Sequence, residues 1–401
     1  MAPPAKYLDF SIRRGILGEN SFPRVFHQTV IMNSPLQKLL ANPRPIVACF
    51  PLYPPLELLD SLGFHPIIPW NLKPHIHNTD QSDRHVQNYV CSVARHLVEY
   101  LLTDGMEYID GIVAYNSCDT LRNIPEIIQS GLDERNTSIP IFTYHIPMTG
   151  AVGRSQPDYV REYIHNEINR LTRKLEAAFS VSFSAPRFLE SVETYNAVRG
   201  LYRTLSGLLS EGQIDFPRFV TLLSDVLFMP ISEQFSTLSA AVDGLKDAPR
   251  KEDGASRIIV SGILPPPPAV IEAMERSGLR VVGEDLAIFR RSFSYLPTPV
   301  KEPGDYYAGF YKNHYPCTTL HYLADQRIDA ILTLCRDLQA DGFVFLGEKF
   351  CEYEYFEFPH LEKKLKELGI KPLALEFSID DSEHIGAVST RIEAYSELLD
   401  G

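Results

Sequence analysis

Three cysteines stand where an α/β chain usually does chemistry. Cys118 lies just past the apolar run "GIVAY" (111–115), in the polar stretch Asn116, Ser117, Cys118, Asp119. Cys351 follows "GFVFLG" (342–347) by a few residues, and Cys49 ends the run "PIVACF" (45–50). Cys91 lies early in "RHVQNYVCSVARHLVEYLL" (84–102), whose Val90, Ala94, Leu97 and Leu101 repeat at helical spacing. A thiol in a polar loop at a strand end is a candidate nucleophile or metal ligand. The plainer alternative is a small buried hydrophobe. Cys335, inside the helical pattern "AILTLCRDL", fits the plainer reading, and Cys317 fits either. No C-x-x-C occurs among the six cysteines, which disfavours a zinc ribbon or a disulfide framework.

Other chemistries leave weaker traces. His314 and His360 lie near Cys317 and Cys351 in sequence, but nothing in the spacing fixes a base beside a thiol. His75 and His77 sit in a polar loop with no partner pattern. Neither a Walker-type loop nor a G-x-G-x-x-G turn is present, so standard ATP or dinucleotide binding is not expected.

Strands and helices must alternate to hold these positions. "PIVACF", "HPIIPW" (65–70), "YIDGIVAYNS" (108–117) and "IPIFTYHIP" (139–147) read as strands separated by helical segments. Residues 157–245 carry almost no strand signal. Val160, Ile164, Ile168, Leu171 and Leu175 there repeat at helical spacing. The charged, turn-rich "GLKDAPRKEDGAS" reads as a boundary. Alternation then resumes with "RIIVSGIL", "LRVVGED", "GFVFLGE" and "KPLALEF" as strands, "LEKKLKELG" as a helix, and a closing helix in "TRIEAYSELL". The expected architecture is α/β: two doubly wound, flavodoxin-like parallel-sheet domains joined by a helical segment, with domains at 1–156 and 251–401 and the connector at 157–250. In such sheets ligands bind beyond the carboxyl ends of the strands, where Cys49, Cys118 and Cys351 fall.

Bulk properties narrow the function. The chain has 401 residues, enough for two or three domains. Its net charge of −13 disfavours sequence-independent nucleic-acid binding. No apolar run is long enough to span a membrane, and "MAPPAKYLDFSIRRG" lacks the apolar core of a secretory signal. A cytoplasmic protein is expected.

Four segments together resemble the 2-hydroxyacyl-CoA dehydratase and benzoyl-CoA reductase family. They are "CFPLYPPLELLDSLGFHPI", "YVCSVARHLVEYLL…YIDGIVAYNSCDTLR", "DGFVFLGEKFCEYEYFEFPHLEKKLKELGIKPLALEF" and "STRIEAYSELL". The resemblance implies that Cys91, Cys118 and Cys351 hold a [4Fe–4S] cluster with one iron left open. It implies radical chemistry as well. A small ATP-hydrolysing iron–sulfur activator injects one electron, which reaches an acyl-CoA thioester and gives a ketyl radical. The 2-hydroxyl leaves, a β-proton is removed, and the electron returns. In the reductase members the electrons stay in an aromatic product. Glu57, in "PPLE", occupies the family's acid-bearing segment and is a candidate proton-handling or positioning acid; a helix-start carboxylate is the plain alternative. Cys49 and Asp119 are candidate supporting groups. No extra cysteine lies between Cys91 and Cys118, which departs from the double-cubane members. The resemblance also implies a related second subunit or a homodimer, and oxygen sensitivity. Against it stand a non-catalytic binding protein with buried thiols and, more distantly, a cysteine hydrolase.

Overall fold

The computed structural model describes residues 39, 42–70, 76, 78–147, 157–251, 254–320, 324–378 and 385–401. His75 and His77 lie outside them. The first sheet comprises β1 (Ile46–Phe50), β2 (His65–Ile67), β3 (Gly111–Tyr115) and β4 (Ile141–Tyr144), in the order β2-β1-β3-β4. The second comprises β5 (Ser256–Gly262), β6 (Leu279–Leu286), β7 (Gly342–Glu348) and β8 (Lys371–Phe377), in the order β6-β5-β7-β8. Every pairing is parallel. The two sheets share one winding, the flavodoxin-like one, although no internal repeat is visible in the sequence. Continuous apolar strands such as "IVACF" and "GIVAY" are buried along their whole length. That is the composition expected of a parallel sheet covered on both faces.

Helices α1 (Leu56–Ser61), α2 (Ser82–His85), α3 (Ser92–Leu102) and α4 (Ile124–Glu134) belong to the first half. The connector is helical as expected: α5 (Asp158–Phe179), α6 (Ala185–Ser210), α7 (Phe216–Val226) and α8 (Ile231–Leu245). The α5 stripe Val160, Ile164, Ile168, Leu171 and Leu175 is fully buried. The second half holds α9 (Pro268–Arg276), α10 (Arg290–Phe293), α11 (Pro303–Asn313), α12 (Ala324–Asp337), α13 (Glu352–Glu367) and α14 (Ile385–Asp400). The connector packs on both halves, with α5 against β4 and α11, and α6 against α1 and β6.

The structure corrects two sequence readings and adds one helix the sequence left unassigned. The helix expected from residue 84 is interrupted: α2 ends at His85, its C-cap Val86 is extended (φ −127°, ψ 148°), and α3 begins only at Ser92, with Cys91 as its N-cap. The helix expected at 361–369 begins at Glu352 and contains Pro359. Its buried Glu354, Glu357, Leu361 and Leu365 hold the face that the proline weakens. Helix α11 was not expected, since "YYAGFYKN" is rich in residues that favour strands. The Glu302 carboxylate caps it by accepting a hydrogen bond from the Asp305 N–H (2.8 Å).

One buried ion pair ties three regions together. Glu57 of α1 is 1% exposed. Its carboxylate meets the Arg199 guanidinium of α6 at 2.5 Å and accepts hydrogen bonds from the Tyr306 (3.0 Å) and Tyr307 (2.7 Å) hydroxyls of α11. Burial alone would raise the Glu57 pKa, but Arg199 and the Tyr307 hydrogen bond outweigh it and hold the acid below its usual range. A depressed folded pKa stabilises the fold above the unfolded value of about 4.3, and that stability is lost as pH falls through the folded pKa. Arg199→Met leaves Glu57 buried and uncompensated, and should cost about 3–5 kcal/mol in urea unfolding at pH 7. A loss below about 1 kcal/mol would place the pair with weak surface bridges and overturn its clamp role.

Candidate functional site

The carboxyl ends of β3 and β7 face one cavity of about 300 Å³ between the two halves. Cys91, Cys118 and Cys351 all line it. Each sulfur is delivered by a turn that opens a helix. Cys91 is the N-cap of α3, and Cys351 the N-cap of α13. Cys118 precedes a short 3-10 turn (Leu121–Asn123), and its Sγ accepts the Leu121 N–H at 3.4 Å. Two hydrogen bonds cross the seam beside the thiols. The Ser92 hydroxyl donates to the Glu348 carboxylate, and the Ser117 hydroxyl donates to the Thr319 carbonyl at 2.6 Å.

None of the three thiols is shifted towards its thiolate. Burial pushes Cys91 up to about 12, and it raises Cys118 and Cys351 as well. Each is also raised by neighbouring thiol or carboxyl charge and lowered by backbone N–H groups: Ala94 and Val93 at Cys91, Leu121 and Thr120 at Cys118, Glu354 at Cys351. Among the described residues lining the cavity there is no Lys, Arg or His; the charged ones are Asp119, Glu348 and Glu352. Three thiols on one space, with N–H donors behind them and no cation in the described lining, are a donor set whose thiolate form has no positive partner there. A metal centre supplies one by holding thiolates. A single tetrahedral ion with metal–sulfur bonds of about 2.3 Å needs sulfurs about 3.8 Å apart. The three cysteines do not form a group whose ligand atoms all lie within 4.8 Å; among the described residues that spacing occurs at His165, Glu302 and Asp305.

The other sequence candidates are placed as follows. Asp119 lines the cavity, but its side chain is 77% exposed and pairs with Arg122. Cys49 is fully buried, and its thiol points back to the Val47 carbonyl at 3.5 Å, away from the cavity lining. Glu57 is not among the lining residues and sits in its clamp with Arg199. Cys335 is a core residue. Cys317 is buried beside Thr319 Oγ1 (3.1 Å) and Arg291 Nη1 (3.7 Å). Arg291 belongs to a buried network in which it grips Asp285 (3.0 Å) and Glu354 (2.5 Å), while Arg327 also reaches Asp285 (2.9 Å). The network fixes α13 one turn after Cys351.

Sequence reasoning passed over Glu348, Trp70, Tyr89 and Phe350, which also line the cavity. Glu348 ends β7, so the strand-end rule that singled out Cys351 would have found it. Phe350 carries a signal only the backbone reveals, a left-handed φ of 68°.

A family model described as "2-hydroxyglutaryl-CoA dehydratase, D-component" matches residues 51–399. The chain is 23% identical to the (R)-phenyllactyl-CoA dehydratase beta subunit of Clostridium sporogenes, over 88% of this chain and 91% of that one. It is 24% identical to the beta subunit of the (R)-2-hydroxyglutaryl-CoA dehydratase of Acidaminococcus fermentans, over 91% and 95%. It is 22% identical to one of the subunits of the benzoyl-CoA reductase of Thauera aromatica, over 84% and 86%.

With every thiol of the site raised, alkylation of metal-free protein should track thiolate fraction, rising about tenfold per pH unit from pH 7 to 9. Iodoacetamide labelling read by peptide mass spectrometry measures this for Cys91, Cys118 and Cys351. A plateau below pH 8 at any of them would reveal an activated nucleophile and reverse the assignment.

Proposed function

The chain belongs to the 2-hydroxyglutaryl-CoA dehydratase D-component family, and from that premise we propose that it is a subunit of an oxygen-sensitive 2-hydroxyacyl-CoA dehydratase holding a [4Fe–4S] cluster. The observation that carries the reading is the convergence of Cys91, Cys118 and Cys351 on one cavity from three different helix starts. Cys91, Cys118 and Cys351 would hold such a cluster, which would supply a low-potential electron to an acyl-CoA thioester.

The chain's own residues then have separable tasks. Cys91, Cys118 and Cys351 give up their protons and hold the irons. Their backbone N–H donors offset the sulfur charge, which is one of the levers on cluster potential. The Arg291–Glu354 contact fixes the helix that delivers Cys351. Trp70, Val93, Ala94, Leu121 and Ile263 give the cavity an apolar wall that limits water. Glu348, buried and held by Ser92, is the inward-facing acid. The net reaction is loss of water from a 2-hydroxyacyl-CoA to give a 2-enoyl-CoA, with the injected electron returned. The partners are a related second subunit and an ATP-hydrolysing iron–sulfur activator. Both dehydratase relatives are named a beta subunit of their enzyme. A second reading, an aromatic acyl-CoA reductase subunit, is favoured by the rings of Trp70, Tyr89, Phe350 and Tyr353 around the cavity and by the benzoyl-CoA reductase relative.

Iron and acid-labile sulfide on protein purified without oxygen should give about four of each per chain, with an EPR signal on reduction. Cys118→Ser should lose or rearrange it. Because the thiols are protonated in the apo protein, loading should release protons and strengthen as pH rises from 6 to 9. Absence of iron after anaerobic reconstitution would sink the cluster. With the cluster present, substrate turnover per activator ATP separates the two chemistries: many turnovers per ATP for the dehydratase, a fixed stoichiometry for the reductase.

A further inference from the structure

Phe350 breaks a local rule. Four described non-glycine residues have positive φ: Asn136, Ser180, Gln339 and Phe350. The first three are polar, and each follows the carboxyl end of a helix, α4, α5 and α12 respectively. There a left-handed residue satisfies the last carbonyls, and Asn or a small polar residue tolerates it. Phe350 precedes a helix instead, between Glu348 and Cys351, and is a bulky aromatic in a region such residues avoid. The turn needs the left-handed backbone, because it brings both Glu348 and Cys351 to the cavity and lets the Cys351 N–H reach the Glu348 carbonyl at 2.9 Å. Glycine would adopt it without strain. The ring must therefore contribute something the turn does not.

Its position shows what. Phe350 lines the thiol cavity yet remains 48% exposed, so it stands at the mouth rather than in the wall. Tyr89, two residues before Cys91, lines the same cavity and is 65% exposed. The Lys349 ammonium lies 5.5 Å from the Phe350 ring centroid, a cation–π contact that favours this placement. Buried apolar packing does not explain an aromatic that keeps half its surface in water, and strain of this kind persists where a side chain serves a site.

We propose that Phe350 is the gate of the thiol cavity: its ring limits the size of solute that reaches Cys91, Cys118 and Cys351. The assignment depends on the cavity and not on the metal, so it is tested on metal-free protein and stands or falls apart from the cluster. The full-length chain is stripped of iron without oxygen, and wild type, Phe350→Gly and Phe350→Trp are labelled with iodoacetamide and with a bulky dye-maleimide. Peptide mass spectrometry then follows each cysteine. In Phe350→Gly the bulky reagent should label the three cavity thiols about tenfold faster, with a much smaller change for iodoacetamide. Phe350→Trp should slow the bulky reagent. Cys49 and Cys335, buried elsewhere, should stay unlabelled in all three proteins, and the glycine variant should melt no lower than wild type because the turn is relaxed. Unchanged bulky labelling in Phe350→Gly would overturn the gate. So would a fall in Tm with Cys49 or Cys335 becoming reactive, since the ring would then be a packing residue.

Discussion

A parallel sheet sends all its strands the same way, and that constraint governs this molecule. Backbone polarity puts every loop that follows a strand on one side. Two sheets of like winding, set against each other with their carboxyl ends towards one seam, bring loops distant in sequence to a common space. Cys118 follows β3 and Cys351 follows β7, yet both open into the same cavity. Cys91 is not at a strand end. It joins them because the chain is extended at Val86 and the helix cannot start until Ser92. Had the helical pattern run unbroken from residue 84, the thiol would lie inside a helix instead of capping one.

Burying charge beside such a seam is costly, and the chain answers with pairs that are closed on themselves. Glu57 has an arginine and two phenols, and Asp285 has two arginines and Ser261. Networks of this kind add little net stability compared with apolar packing, but losing one member leaves a buried charge uncompensated. They therefore act as fixed points. The Glu57 clamp joins α1, α6 and α11, and the Arg291 network holds α13 against the end of β6. The cavity between these fixed points contrasts with them: its described lining has acids and thiols and no basic side chain.

Much of this was legible in the sequence, and the rest was hidden for definite reasons. The strands at 46–50, 111–115, 256–262 and 342–348 were plain because a strand covered on both faces is a continuous apolar run. The connector was plain because Val160 to Leu175 keep a helical period. The strand-end rule found the positions of Cys118 and Cys351. It also pointed to Cys49, whose thiol faces the core, because a strand end tells which rim a residue is on and not which face it points to. Glu57 looked like a site acid because its segment resembles an acid-bearing one. Its partners Arg199, Tyr306 and Tyr307 lie more than 140 residues away, and no local pattern joins them to it. Only 361–369 of α13 reads as helix in the sequence, because Pro359 argues locally for a break, and α11 has no reading there at all, because its aromatic residues give no helical signal; tertiary burial decides both.

The raised thiols and the acidic lining point the same way. An enzyme that used Cys91, Cys118 or Cys351 as a nucleophile would surround it with a base or a cation to lower its pKa. Here burial and neighbouring acids do the opposite, and only backbone N–H groups favour the thiolate. Backbone donors cannot shuttle protons, but they do not move, and they suit a permanently charged sulfur. A site built this way disfavours the free thiolate. Burial raises the core thiols Cys49 and Cys335 as well; what sets Cys91, Cys118 and Cys351 apart from them is that the three share one cavity, and what sets that cavity apart from a cysteine-hydrolase pocket is that no base or cation lines it among the described residues.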